Sequence, residues 1–279
     1  MMRFLLAQGC IVVLISANFP MCALFKSAKP KPFVAEALPA SLPELKDAQL
    51  AASSYGQPVG GDLHDFIRVS SSRVLFALFD VAGRRDQNRA IISAAQTTFR
   101  SSGQQLLSND DANEADAMIE VCVQMNRGIL KASPRVYPCP VFAGCYNETL
   151  GTICYVNAGH TPALLRDRSG ITELGATGLP LGLFSHSAAD ASIVALEPGA
   201  ALLLVSRGLV EANCKGKEFG LAWAKKMFLA GREQTGEEIC ASMLSQVQQF
   251  LDAKAAGNDV TILALTRSAA AKAFAAATI

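Results

Sequence analysis

Between Pro140 and Ser206 the chain places six short apolar runs in succession, with no helical stretch between them. They read PVFAGCYN (140–147), GTICYVNA (151–158), PALLRDR (162–168), ITEL (171–174), ASIVAL (191–196) and AALLLVS (200–206). Runs of this length, bounded by turn residues, are strands rather than helices. Strands that follow one another through short turns pair as hairpins, so the sheets are mostly antiparallel. A doubly wound parallel fold is excluded by the same feature, because every parallel crossover needs a helix or long connection.

Upstream, AQLAASSY (48–55) reads as a strand, and DLHDFIRV (62–69) and RVLFALFD (73–80) as a hairpin across the serines 70–72. The spacing turns helical from Asn88 to Leu107, and a second helix from Glu114 to Leu130 follows the capping segment SNDDAN. Further helices are predicted over 217–230 and 236–254; in the latter Ile239, Met243, Val247 and Leu251 recur every four residues. The last strand is DVTILAL, 259–265. Many strands with helices paired at two places make an α+β layered domain.

The organisation that follows is an apolar leader over 1–24, a proline- and lysine-containing linker over 25–41, one domain over 42–267 and an alanine-rich tail over 268–279. The leader has a charged flank at Arg3 and an apolar stretch interrupted at Gln8 and Gly9, the pattern of a signal peptide or short anchor. Membrane association through residues 4–24 is therefore an open expectation. The 25 basic and 24 acidic residues, net +1, form no long run of one sign, which speaks against a nucleic-acid footprint. Eight cysteines without a CxxC pair exclude a zinc ribbon and read as buried free thiols.

Asp62 opens one strand of the first hairpin and Asp80 closes the next, so pairing brings the two carboxylates together. Like charges so close are costly without a cation between them, and oxygen ligands suit Mg²⁺ or Mn²⁺. Two solvated turn aspartates are the competing reading. His160, in NAGH, reads as a turn histidine bonded to backbone, and Glu211 as a solvated or capping residue.

PVGGDLHDF (58–66), FALFDVAG (76–83), YVNAGHTPALL (155–165), GLPLGL (178–183), LLLVSRGLVEA (202–212) and NDVTILAL (258–265) occur in an order that resembles the SpoIIE-type branch of the metal-dependent (PPM, type-2C-like) protein serine/threonine phosphatases. The resemblance implies a four-layer α-β-β-α sandwich of two mostly antiparallel sheets flanked by helices. It implies two Mn²⁺ or Mg²⁺ ions whose bridging water attacks phosphoserine or phosphothreonine, and a cytoplasmic domain acting on a phosphorylated regulatory protein of the anti-sigma-factor-antagonist type. By residue, it puts metal ligands at Asp62, Asp80 and the Val81 carbonyl. Two further metal aspartates of the family fall on Arg207 and Asn258, so one ion or none is expected here. Asp259, one residue on, is the candidate rescue ligand if the strand bulges. Arg84 and Arg85 read either as a phosphate clamp or as a solvated helix entrance capped by Asp86. Two functions stay open: a phosphatase with impaired activity, or a pseudophosphatase that binds a phosphoprotein.

Overall fold

A computed structural model describes residues 42–55, 61–81, 85–133, 135–186, 189–231, 234–251 and 259–269. The leader, the linker and nearly all of the tail lie outside these residues, as do Arg84, Asn258, Cys10 and Cys22.

Two five-stranded sheets form the centre. The first contains β1 (Ala48–Tyr55), β12 (Val260–Arg267), β9 (Ala201–Val205), β6 (Ala163–Arg166) and β7 (Ile171–Leu174), in that spatial order. The second runs β2 (Asp62–Arg68), β3 (Arg73–Asp80), β4 (Val141–Asn147), β5 (Thr152–Ala158) and β8 (Ser192–Ala195). Every pairing within them is antiparallel.

The period of two along each strand explains the layering. In β3, Val74, Phe76 and Leu78 enter the core between the sheets. Leu75, Ala77 and Phe79 enter a second core beneath α1 (Arg85–Leu107) and α2 (Glu114–Ala132). All eight residues of β3 are buried. A strand covered on both faces must read as a continuous apolar run, which RVLFALFD nearly does. In β9 and β12, Leu202, Leu204, Leu263 and Leu265 face the same inter-sheet core. Leu203, Val205, Ile262 and Ala264 face a third core under α4 (Gly220–Ala230) and α5 (Gly236–Phe250). The fold is thus the expected four-layer sandwich.

The helices begin where the capping chemistry places them. Asn113 accepts hydrogen bonds from the Ala115 and Asp116 N–H groups, and Thr235 with Glu238 forms a capping box on α5. Three readings need correction. α1 starts at Arg85, so Asp86 is its second residue and not its cap. The helix predicted from 217 starts at Gly220, because β10 (Asn213–Cys214) and β11 (Lys217–Glu218) form a hairpin first. Lys215 and Gly216 turn it with φ of 54° and 81°, the left-handed pair that a two-residue turn requires. A one-turn helix, α3 (Arg207–Val210), also follows β9 unforeseen.

Candidate functional site

The start of β2, the end of β3, the end of β9 and the start of β12 meet at one end of the sandwich. Register places Asp62 directly opposite Asp80. The Val81 N–H donates to the Gly61 carbonyl at 3.2 Å, and the Asp80 N–H donates to the Pro140 carbonyl at 2.9 Å. Gly61 is required by this closeness: a Cβ there would stand 1.7 Å from the Val81 carbonyl oxygen. Val81 is buried, with that oxygen turned toward Gly61.

Across the inter-sheet gap, Ser206 lies beside Thr261, donating its backbone N–H to the Thr261 carbonyl at 2.9 Å. Its hydroxyl accepts the Thr261 N–H at 3.0 Å and donates to the Asp259 carbonyl at 3.4 Å. The next residue reaches Asp80 twice. The Arg207 backbone N–H donates to Asp80 Oδ2 at 2.9 Å, and the guanidinium lies 3.6 Å from Oδ1. Both oxygens of a carboxylate that is 6% exposed therefore face Arg207. The guanidinium itself is half-exposed and also lies 3.8 Å from Glu211, one turn on.

Asp62 has the opposite environment. Its Oδ2 is buried with no hydrogen-bond partner. Burial first, and the Asp80 charge second, raise its pKa from 3.8 to about 7; Asp259 adds to the rise, and the hydroxyls of Ser206 and Thr261 oppose it. His160 completes the surroundings. It is 4% exposed, its Nδ1 lies 3.0 Å from the Thr161 carbonyl, and its Nε2 has no partner. Burial lowers its pKa, against the pull of the Thr161 hydrogen bond and the Asp80 charge.

Asp62, Asp80, Val81 and Arg207 thus converge, and Asp259 lies near enough for its charge to act on Asp62. Asn258, Arg84 and the Arg85 side chain are outside the described residues. Glu211 is the solvent-exposed C-cap of α3, as expected, and its carboxylate also lies 3.8 Å from the Arg207 guanidinium. His160 is bonded to backbone as expected, but it is buried beside Asp80. Ser206 and Thr261 went unrecognised as site residues; their signal was position, one residue before Arg207 and two after Asp259, at two strand ends that share a sheet. Among the described residues, no three His, Cys, Asp or Glu side chains converge as a metal cluster would. The described cysteines are all free, and all but Cys214 are buried.

Comparison with known proteins bears on the same residues. Protein IcfG of Synechocystis sp. is 21% identical over 251 residues, which are 83% of this chain and 40% of IcfG. The chain therefore spans well under half of that relative. The fold matches the PP2C domain of SiaA from Pseudomonas aeruginosa with a TM-score of 0.65 at 15% identity, over 78% of this chain and 84% of that one. It matches the phosphatase domain and regulatory fragment of SpoIIE from Bacillus subtilis with a TM-score of 0.63 at 16% identity, over 79% and 62%. Such identities establish the fold alone. The model of the family described as Stage II sporulation protein E (SpoIIE) goes further, matching residues 70–268, which include Asp80, Arg207 and Asp259, and by that match the chain belongs to the SpoIIE-type branch of the metal-dependent PPM phosphatases.

Proposed function

We propose that this domain recognises a phosphorylated regulatory protein through a site in which Arg207 has taken the place of a divalent cation, and that two-ion hydrolysis is lost. One observation carries the reading: Arg207 supplies Asp80 with a backbone donor at 2.9 Å and a guanidinium at 3.6 Å. The donors present do not fit two divalent ions. A unit charge pair 4 Å apart is worth roughly 4 kcal/mol at ε ≈ 20, so a divalent ion beside that guanidinium is disfavoured by several kcal/mol. The same half-exposed guanidinium suits a phosphate dianion, which it can meet with two parallel N–H donors. The phosphoserine or phosphothreonine would belong to a regulator of the anti-sigma-factor-antagonist type, by kinship.

A second reading is a weakly active serine/threonine phosphatase that retains one Mn²⁺ or Mg²⁺ among Asp62, Asp80, the Val81 carbonyl and Asp259. The unpartnered Asp62 Oδ2 favours it, since a buried bare carboxylate oxygen is a ready ligand for a hard cation.

Calorimetric titration with Mn²⁺ and a phosphate-release assay on a phosphoserine peptide separate the two. The wild-type chain should bind no Mn²⁺ more tightly than about 1 mM. It should release no phosphate, yet in EDTA prefer the phosphoserine peptide to its serine counterpart. Arg207→Asp with Asn258→Asp should gain Mn²⁺ affinity. Wild-type turnover with tight Mn²⁺ binding overturns the first reading in favour of the second.

A further inference from the structure

We infer that the face formed by the C-terminal end of α2 and the loops 135–139 and 178–186 docks an acidic protein segment bearing apolar side chains. The inference rests on the phosphoprotein reading only in giving that segment a phosphate.

The face is joined to the strand end that carries Asp80. The Pro140 carbonyl accepts the Asp80 N–H, and one residue earlier Cys139 exchanges two backbone hydrogen bonds with Leu181, at 2.8 and 3.0 Å. The second loop is held onto α2 by Asn126, which is almost fully buried. Its Oδ1 accepts the Gly182 N–H at 2.7 Å, and its Nδ2 donates to the Phe184 carbonyl at 2.9 Å. Gly182 has φ of 78°, and a Cβ on it would stand 2.5 Å from the Tyr137 carbonyl oxygen. The two loops and the helix end are thus packed without slack.

On this fixed rim three large apolar side chains point to solvent: Val136 at 64% exposure, Leu179 at 57% and Phe184 at 57%. Single exposed hydrophobics are ordinary, but three carried on two loops bridged at Cys139 and Leu181 offer a partner several apolar side chains to cover. Around them stand Arg127 and Lys131, one turn apart on α2, and Arg135. All three are exposed, and none forms an ion pair with any described residue. The chain carries no Asp or Glu between Glu120 and Glu148, nor between Glu173 and Asp190. A surface that joins unpaired cations to fixed apolar side chains complements an acidic partner with apolar anchors. The face is made of loops around a β-bridge rather than an amphipathic helix, and the first loop is hydrogen-bonded at Pro140 to the strand end that carries Asp80, which favours a protein segment over a lipid surface.

The test uses the full chain in EDTA and two fluorescent phosphoserine peptides of equal length. One is flanked by Asp, Glu and Leu, the other by Ser and Gly, and an unphosphorylated copy of each is included. The acidic-apolar peptide should bind about tenfold more tightly or better, an advantage that shrinks as salt is added. Arg127→Glu/Lys131→Glu/Arg135→Glu and, separately, Leu179→Ser/Phe184→Ser should each abolish that advantage while leaving the neutral peptide's affinity unchanged. Equal binding of the two phosphopeptides overturns the docking inference and leaves the phosphate reading standing. An acidic-apolar advantage with no dependence on phosphate supports docking and overturns the phosphate reading. Binding of neither peptide overturns both. Flotation with phosphatidylglycerol vesicles that is lost on charge reversal, without discrimination between peptides, assigns the face to anionic lipid and overturns the inference.

Discussion

Because burial and the neighbouring Asp80 raise the Asp62 carboxyl from 3.8 to about 7, its proton is linked to folding. Below about 4 both the folded and the unfolded chain hold it. Between about 4 and 7 the folded chain keeps the proton while the unfolded chain releases it, so stability falls as pH rises through this window and has lost the whole contribution above 7. Asp62→Asn removes the titration. Urea unfolding should show the variant gaining on wild type by roughly 2–3 kcal/mol between pH 5 and pH 8. A gain of the opposite sign would mean that a cation holds Asp62 ionised in the folded chain. The neighbouring Gly61 is constrained by space rather than charge. Gly61→Ala would drive a methyl into the Val81 backbone, which cannot swing away as a side chain can, and should cost about 2–4 kcal/mol in the same measurement. The carboxylate pair was legible in the sequence, since a hairpin from 62 to 80 puts its first and last residues opposite each other. The approach of Pro140 and His160 to Asp80 was not, because it depends on how loops distant in sequence close over the sheet end.

At the scale of elements, legibility followed length and burial. β3, β4 and β9 are buried along their whole length, and each was visible as an apolar run. α5 was visible as an apolar stripe, and α2 through its capping segment. α3 was not, because four residues fill barely one turn and leave no period to read. The β10–β11 hairpin is exposed over three of its four residues, so no alternation marks it; the Lys215-Gly216 turn was its one signal. Side-chain clamps between elements also escape a periodicity argument, and Asn126 is the clearest case. Polar on the buried face of α2, it serves two backbone groups of a loop some 56 residues away. Asn126→Leu keeps the bulk but strands the Gly182 N–H and the Phe184 carbonyl, at a cost of about 1–3 kcal/mol each if they stay buried. Local opening is the cheaper response. Hydrogen exchange should therefore show the Gly182 and Leu181 amides losing protection while those of β3 and β9 keep theirs.

For the whole molecule, the layered cores and the metal question meet in linkage. Three apolar cores, one between the sheets and one under each helix pair, hold the four layers together, and none of their side chains is a metal ligand in the family; Val81, which belongs to one of them, would offer only its backbone carbonyl. A metalloenzyme of this fold gains stability from its ions all the same, because only the folded chain assembles Asp62, Asp80 and the β12 start at one point. An ion bound with a Kd of about 10 µM and supplied at about 1 mM would add ~2.7 kcal/mol. For a domain of this size that would raise Tm by roughly 5–10 °C. With Arg207 already beside Asp80, the wild-type chain has nothing to gain, and its Tm should not differ between Mn²⁺ and EDTA. The same guanidinium should make Tm respond to inorganic phosphate, a shift that Arg207→Gln loses. In Arg207→Asp/Asn258→Asp the pattern should invert: lower Tm than wild type in EDTA, from added carboxylate repulsion, and recovery on adding Mn²⁺. A wild-type Tm that climbs with Mn²⁺ would return this chain to the metal-loaded members of its family.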